Sequence, residues 1–263
     1  MMYRIKDIDV VRQFTDDWNE SVVKTCLAGR IGSVFADDER SPSCVLLTAG
    51  EFVLFAGAPG EEAVAYVPEG YKTDLAIMTA KGDDDRWYRL IEKVYGERAE
   101  KITRYAIKKD GVASFNRAKL TAMASSLPEG YRIEKIGRSL YDFCRTDGDF
   151  HDLVSQYPTY EEYEKYGLGF MAFYGDEAAS GCSSFSDYPG GLEIEIATKE
   201  SHRRRGLASA VAAKFILECI ERNIYPSWDA ANLSSVALAE KLGYRLDRAY
   251  TAYEVKEYRR GKK

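Results

Sequence analysis

Between residues 192 and 198 apolar and charged side chains alternate, Leu192-Glu193-Ile194-Glu195-Ile196, and this period of two predicts a strand with one buried face. From Leu207 the period changes. Leu207, Val211, Phe215 and Cys219 recur every four residues, with Ala208, Ala212, Ile216 and Ile220 beside them, which predicts an amphipathic helix. Polar residues 199–202 separate the two, and Ser201 among them is a usable helix cap. The same reading predicts a strand at 224–229, a helix at 233–242 and a strand at 245–255. Upstream lie a strand at 131–136, short helical segments at 139–145, 150–156 and 160–166, and antiparallel strands at 170–174 and 178–186 around Gly175-Asp176.

The first half reads less regularly. A near-helical stripe of Val10, Val11, Phe14, Trp18, Val22, Val23 and Cys26 predicts one helix over 8–30. Short strands follow at 31–36, 44–48 and 51–56, with Ala49-Gly50 as a tight hairpin turn. A strand at 75–79, a helix capped by Asp83-Asp84-Asp85 and running to Tyr95, a strand at 102–108 and a helix at 115–127 complete it. Pro128-Glu129-Gly130 is a loop, and we place the domain boundary there, 1–127 and 128–263. The first domain reads either as a degenerate copy of the second or as an unrelated α/β cap.

Composition narrows the classes. The chain has 263 residues, 45% of them hydrophobic, enough for one large or two small cores. A net charge of −5 argues against nucleic acid as the main partner, and the basic end with Lys256, Arg259, Arg260, Lys262 and Lys263 reads as a solvated tail. No apolar run is long enough to span a membrane, and the first residues lack the apolar core of a signal peptide. Five singly spaced cysteines and two histidines point to reduced thiols, no histidine-rich metal site and a cytoplasmic protein.

The junction Arg203-Arg204-Arg205-Gly206-Leu207-Ala208 carries the candidate chemistry. It places three guanidinium groups at a helix N-terminus that already has unpaired N–H groups and a partial positive charge, while Gly206 leaves the backbone approachable. Free amides, dipole and guanidinium groups suit a phosphate or pyrophosphate. A solvated basic turn is the plain alternative.

Arg203-x-x-Gly206-x-Ala208 resembles the R/Q-x-x-G-x-G/A signature of the GNAT superfamily of acyl-CoA-dependent N-acyltransferases. A second block, Asn232-Leu233-Ser234-Ser235 followed by Leu238-Ala239-Glu240-Lys241-Leu242-Gly243-Tyr244, resembles the other core motif of that superfamily. The fuller wording GGLEIEIAT, RRRGLA, YPSWDAAN and LAEKLGY is similar to the GNAT subfamily that includes the zwittermicin A resistance acetyltransferase. The resemblance implies an α/β fold with a mixed, mostly antiparallel sheet, and tandem GNAT-like halves are known in the superfamily. It implies acetyl-CoA as cofactor, with its pantetheine arm between 194–198 and 225–229. Backbone groups of Ile196, Ala197 and Thr198 would pair with the arm. Arg203, Arg204, Arg205, Gly206, Leu207 and Ala208 would hold the pyrophosphate, and Asn232, Ser235 and Lys241 would add contacts.

The acceptor amine arrives as an ammonium with a pKa near ~10, so a base must remove its proton. The resemblance implies a glutamate on the strand before the signature, and Glu193 and Glu195, on one face by strand alternation, are the candidates. The tyrosine that often protonates the departing thiolate is replaced by Ala239; Tyr244, Tyr225 or Cys182 stand as alternatives. Trp228 and Asp229 lie where an acceptor would meet the second strand, although Asp229 reads equally as a helix cap. The implied acceptor is a small-molecule amine such as an amino-polyol antibiotic, with no nucleic-acid or membrane partner and a homodimer left open. A catalytically weak acyl-CoA-binding protein that keeps the fold is the alternative reading.

Overall fold

The computed structural model describes residues 1–260, so Lys262 and Lys263 of the basic end lie outside the described residues. The described residues form two compact units, residues 1–104 with 249–260, and residues 105–248. The strands and helices of the first part follow the order β1 (Tyr3–Arg4), α1 (Arg12–Thr15), α2 (Ser21–Leu27), β2 (Ser33–Ala36), β3 (Cys44–Ala49), β4 (Phe52–Gly57), α3 (Glu61–Ala65), β5 (Ala76–Ala80), α4 (Asp85–Tyr95), β6 (Ala99–Ile107). After α5 (Arg117–Ser125) the order recurs: β7 (Tyr131–Lys135), α6 (Arg138–Thr146), α7 (Tyr160–Tyr166), β8 (Gly169–Tyr174), β9 (Glu177–Tyr188), β10 (Gly191–Thr198), α8 (Leu207–Glu221), β11 (Tyr225–Ser227), β12 (Asp229–Ala230), α9 (Leu233–Leu242), β13 (Leu246–Val255). Both parts therefore read β-α-α-β-β-β-α-β-α-β apart from the short β12. The recurrence bears out the expectation of a degenerate first copy.

Each compact unit uses a strand from the opposite half of the chain. In the first unit β13 pairs antiparallel with β5, Tyr253–Val255 against Ala76–Met78. In the second, β12 pairs with the end of β6, Asp229 opposite Ala106 and Ala230 opposite Tyr105. The chain crosses between units inside β6 and inside β13. The division thus differs from one at 127/128: α5 belongs to the second unit, where Leu120 is fully buried in the cluster formed by Val211, Phe215 and Ile216 of α8.

The second unit has a five-stranded sheet in the order β11-β10-β9-β8-β7. Its pairs are antiparallel except β10 with β11. Alternation assigns its faces. Leu192 is buried with Phe170, Ala172 and Cys182 against α8, and Ile194 and Ile196 pack on the same cluster. Glu193, Glu195 and Ala197 therefore face the side that carries Tyr157 and Tyr163, whose hydroxyls reach Ser184 at 3.1 Å and Ser183 at 2.9 Å.

Several expectations are corrected. The helix over 8–30 is broken: a short turn at 8–11 and α1 end at the Asp16-Asp17-Trp18-Asn19 stretch, and α2 starts only at Ser21. Asp16, Asp17 and Asn19 are residue types that favour turns over helix interiors, and Asp16 and Asp17 pair with the side chains of Arg12 and Lys81, which a hydrophobic stripe does not register. Residues 150–156 yield only the turn His151–Leu153. The strand at 224–229 is interrupted at Trp228, because its two ends pair with different partners, β10 and β6. Ser201 does not cap α8; Gly206 occupies that position, and the three arginines precede the helix.

Candidate active site

The parallel pairing of β10 with β11 runs through Gly191–Tyr225, Leu192–Pro226 and Glu193–Ser227 and then stops. Past Ser227 the chain turns away and pairs with β6 through Asp229 and Ala230. Residues 194–198 are half-buried and, among the described residues, pair only with β9. The polarity of their open edge follows from neighbouring bonds. Tyr225 donates its N–H to the Gly190 carbonyl on the β11 side, whereas Lys199 donates to the Ala179 carbonyl on the β9 side. Backbone groups alternate along a strand, so the N–H groups of Ile196 and Thr198 point to the open side and that of Ala197 points to β9. An exposed ladder edge of this kind pairs with extended amide-bearing chains.

The open edge leads from Glu193, at the closed end of the fork, to Thr198 and then to the start of α8. Helix α8 has no side-chain cap and no acidic residue in its first turn. Its first internal backbone bond is Ala210 N–H to Gly206 O, so the N–H groups of Leu207, Ala208 and Ser209 have no partner inside the helix. Gly206 is left-handed with φ +83°, and a Cβ placed there would meet nothing within 4 Å. Arg204 is also left-handed, φ +62°, and all three arginines are exposed. Arg203 and Arg205 make long bonds of 3.4 Å to the carbonyls of Thr198 and Ser201. Open amides, a helix dipole and three cations define an anion-binding end.

Four other sequence candidates meet at the fork. Glu193 is 7% exposed and accepts the Asp229 N–H at 2.8 Å. Glu195 is half-buried on the same face, opposite Ser183 of β9. Trp228 is buried and donates its Nε1–H to Ser235 Oγ at 3.0 Å. Asp229 is half-buried and does not cap α9; Asn232 does, accepting the Ser235 N–H at 3.0 Å through Oδ1. Asn232 and Ser235 are thereby engaged in holding the start of α9, and Lys241 is exposed on its last turn.

Tyr244 sits behind the fork. It is buried, donates its O–H to the Pro226 carbonyl at 2.7 Å, and lies edge-on to Phe115 at 4.9 Å and to Trp228 at 5.5 Å. Burial pushes its phenol well above the ordinary value. Tyr225 is pushed up to about 12, again mainly by burial, and Cys182 well above its ordinary value for the same reason. Ala239 is fully buried among these residues.

Two contributors were missed from sequence. Tyr188 is buried at the end of β9, and its hydroxyl bonds to that of Ser227, the last β11 residue in register with β10. Gly191 admits the Tyr188 ring, which lies 2.3 Å from where a Cβ would stand. The Y-P-G-G turn was the available signal. His202 counts in the sequence only as one of two histidines, too few for a histidine-rich metal site, yet it is the buried side chain of the turn that precedes the arginines.

Among the described residues, the first unit lacks these features. Its corresponding strands β4 and β5 pair in parallel from Phe52–Ile77 to Phe55–Ala80, leaving little open edge. The helix after β4, α3, has five residues and begins Glu61-Glu62. Two carboxylates at a helix start disfavour an anion.

A family model for the GNAT acetyltransferases matches residues 12–253. The chain belongs to this family and is an N-acetyltransferase. It is 28% identical to the uncharacterized N-acetyltransferase YdfB of Bacillus subtilis, over 91% of this chain and 92% of that protein. It is 39% identical to a GCN5-related N-acetyltransferase-like protein of Streptococcus suis, covering 95% of this chain and 98% of that one with a TM-score of 0.88. The fold alone is shared with a tandem GNAT protein of the clavulanic acid biosynthesis pathway, at 9% identity and a TM-score of 0.58, over 98% and 99% of the chains. The family generally uses acetyl-CoA. The open β10 edge and the uncapped α8 amides beside Gly206 are a donor set that fits such a group.

Proposed function

We propose that the protein transfers an acetyl group from acetyl-CoA to a primary amine of a small molecule. The separation of β10 from β11 after Glu193 carries this reading, because it opens a backbone edge that ends at the α8 amides. Acetyl-CoA supplies the acetyl thioester when bound. The N–H groups of Ile196 and Thr198 are the donors for its amides and acyl carbonyl, a contribution commonly worth ~3 kcal/mol for an oxyanion donor. Arg203 to Ala208 are the residues that hold its phosphates.

Glu193 is the base in this reading. It stands at the closed end of the fork, farthest along the strand from the anion-binding end, and it takes the proton from the substrate ammonium, directly or through water. Its hydrogen bond from Asp229 orients the carboxylate. A departing thiolate with a pKa near ~8.5 needs little help from an acid, in line with Ala239 standing where a tyrosine is usual. Trp228 and Asp229 border the acceptor side. An acidic chain with Asp229 there favours a cationic acceptor, and an amino-polyol antibiotic is the class to try first, given the similarity to the zwittermicin A resistance subfamily.

Thiol release from acetyl-CoA across a panel of polyamines, aminoglycosides and amino-polyols tests the reading. Amine-dependent release with wild type, reduced about a hundredfold in Glu193→Gln, is the expected result. Binding of acetyl-CoA with no amine-stimulated release across the panel would leave a cofactor-binding protein instead.

A further inference from the structure

The turn between β10 and α8 has one buried side chain, His202. His202 is 6% exposed, while Glu200, Ser201 and all three arginines are exposed. Its ring lies perpendicular to that of Tyr131, centroids 5.7 Å apart, and 6.4 Å from that of Tyr174. Nδ1 is 2.7 Å from the Tyr131 hydroxyl, and Nε2 is 3.3 Å from one carboxylate oxygen of Glu177. The other oxygen of Glu177 is 3.6 Å from Lys199 Nζ. A carboxylate only accepts, so Nε2 carries a proton, and Nδ1 accepts from the Tyr131 O–H in the neutral ring. His202 thus ties the turn to β7 and to the start of β9 at once.

The backbone beyond it is constrained. His202 N–H donates to Lys199 O at 2.9 Å and Arg203 N–H to Glu200 O at 3.2 Å, closing the turn. Arg204 then takes a left-handed conformation that arginine adopts only when its surroundings impose it. The arginine side chains offer little restraint, with bonds of 3.4 Å from exposed groups. The buried imidazole stands two residues before Arg204.

We propose that His202 is a positioning residue for the phosphate-binding turn. Locked between Tyr131 and Glu177, it fixes the left-handed arch that aims the Arg203–Ala208 segment and the α8 amides at one point. This rests on the acyl-CoA reading above. It predicts a defect confined to the phosphate-bearing end of the donor.

The test compares CoA with pantetheine, which lacks the nucleotide and pyrophosphate, by calorimetry and by NMR titration. In wild type CoA binds much more tightly than pantetheine. His202→Ala weakens CoA about tenfold, the scale of losing a residue that orients a binding group, and leaves pantetheine unchanged. His202→Gln, which keeps a donor toward Glu177, recovers part of the loss. Tyr131→Phe removes only the hydroxyl partner, weakens CoA in the same direction, and carries the test if His202→Ala does not fold. Unchanged CoA affinity in the folded variants, or equal losses for both ligands, overturns the proposal. A wild-type protein that binds CoA no better than pantetheine overturns the phosphate-site reading itself, which is a separate outcome.

Discussion

The Asp229 backbone N–H donates to a Glu193 carboxylate oxygen at 2.8 Å, across the point where β10 and β11 cease to pair. Ser227 is the last β11 residue in register, and two residues later the chain is already paired with β6. The acidic side chain therefore replaces the next rung of the ladder. It satisfies a backbone donor at the fork and sets a carboxylate at its closed end.

The two strand glutamates should separate on substitution. Glu193→Gln keeps an acceptor for the Asp229 N–H but removes the proposed base, so kcat should fall by about 10²-fold, a typical general-base contribution, with acetyl-CoA affinity nearly unchanged. Glu195→Gln stays close to wild type. Steady-state rates on any amine that is turned over decide this. The reverse ranking would move the base one step outward along the strand, and full kcat in both variants would remove it from β10.

Gly206→Glu combined with Arg203→Ala should abolish measurable acetyl-CoA binding in a folded protein. The new side chain projects into open space at the α8 N-terminus with a negative charge, and the left-handed φ of +83° costs a non-glycine residue about 1–2 kcal/mol. Calorimetry with acetyl-CoA, alongside a melting curve that drops by only a few degrees, checks it. Wild-type affinity in the folded double variant would displace the phosphate site.

One CoA should bind per chain. In the first unit β4 and β5 stay paired to Phe55–Ala80 and the short helix α3 opens with Glu61 and Glu62, so neither the open edge nor the anion-binding end is present there. Titration to a stoichiometry of two would contradict this.

Tyr244→Phe tests the phenol behind the fork. Its O–H satisfies the Pro226 carbonyl inside the core, and its removal leaves a buried acceptor without that donor, a cost of ~1–3 kcal/mol. The expected outcome is a lower denaturation midpoint with kcat within a few-fold of wild type. A loss of kcat at unchanged stability would make Tyr244 the proton donor instead.

Stability should decline above about pH 10, where unperturbed tyrosine ionises. Burial raises the phenols of Tyr163 and Tyr244 well above the ordinary 10.0 in the folded chain. A raised folded pKa keeps its stabilising contribution below the unfolded pKa and loses it as pH climbs past that value, because the unfolded chain releases the protons first. Melting temperature against pH, with phenolate absorbance followed in parallel, should show these tyrosines ionising only as the protein unfolds.

The sequence by itself determined the elements whose side-chain spacing is a local property. The alternation at 192–198, the four-residue period from Leu207 and the helix at 233–242 all recur in β10, α8 and α9, and the R-x-x-G-x-A and N-x-x-S blocks stand at the ends of those elements. Spacing of this kind needs no knowledge of what the element packs against. Tertiary structure decided the rest, since it depends on which distant strand takes each partner. Residues 224–229 read as one strand, yet β10 pairs with residues 225–227 and β6 with 229 and 230, and that competition opens the fork. Strand β13, the last of the second half, pairs with β5 in the first unit, and the end of β6, the last of the first half, pairs with β12 in the second, which moves the division of the chain away from the Pro128 loop. Glu193 and Asp229, and His202 with Tyr131 and Glu177, meet only because the folded sheet brings together groups tens of residues apart in sequence.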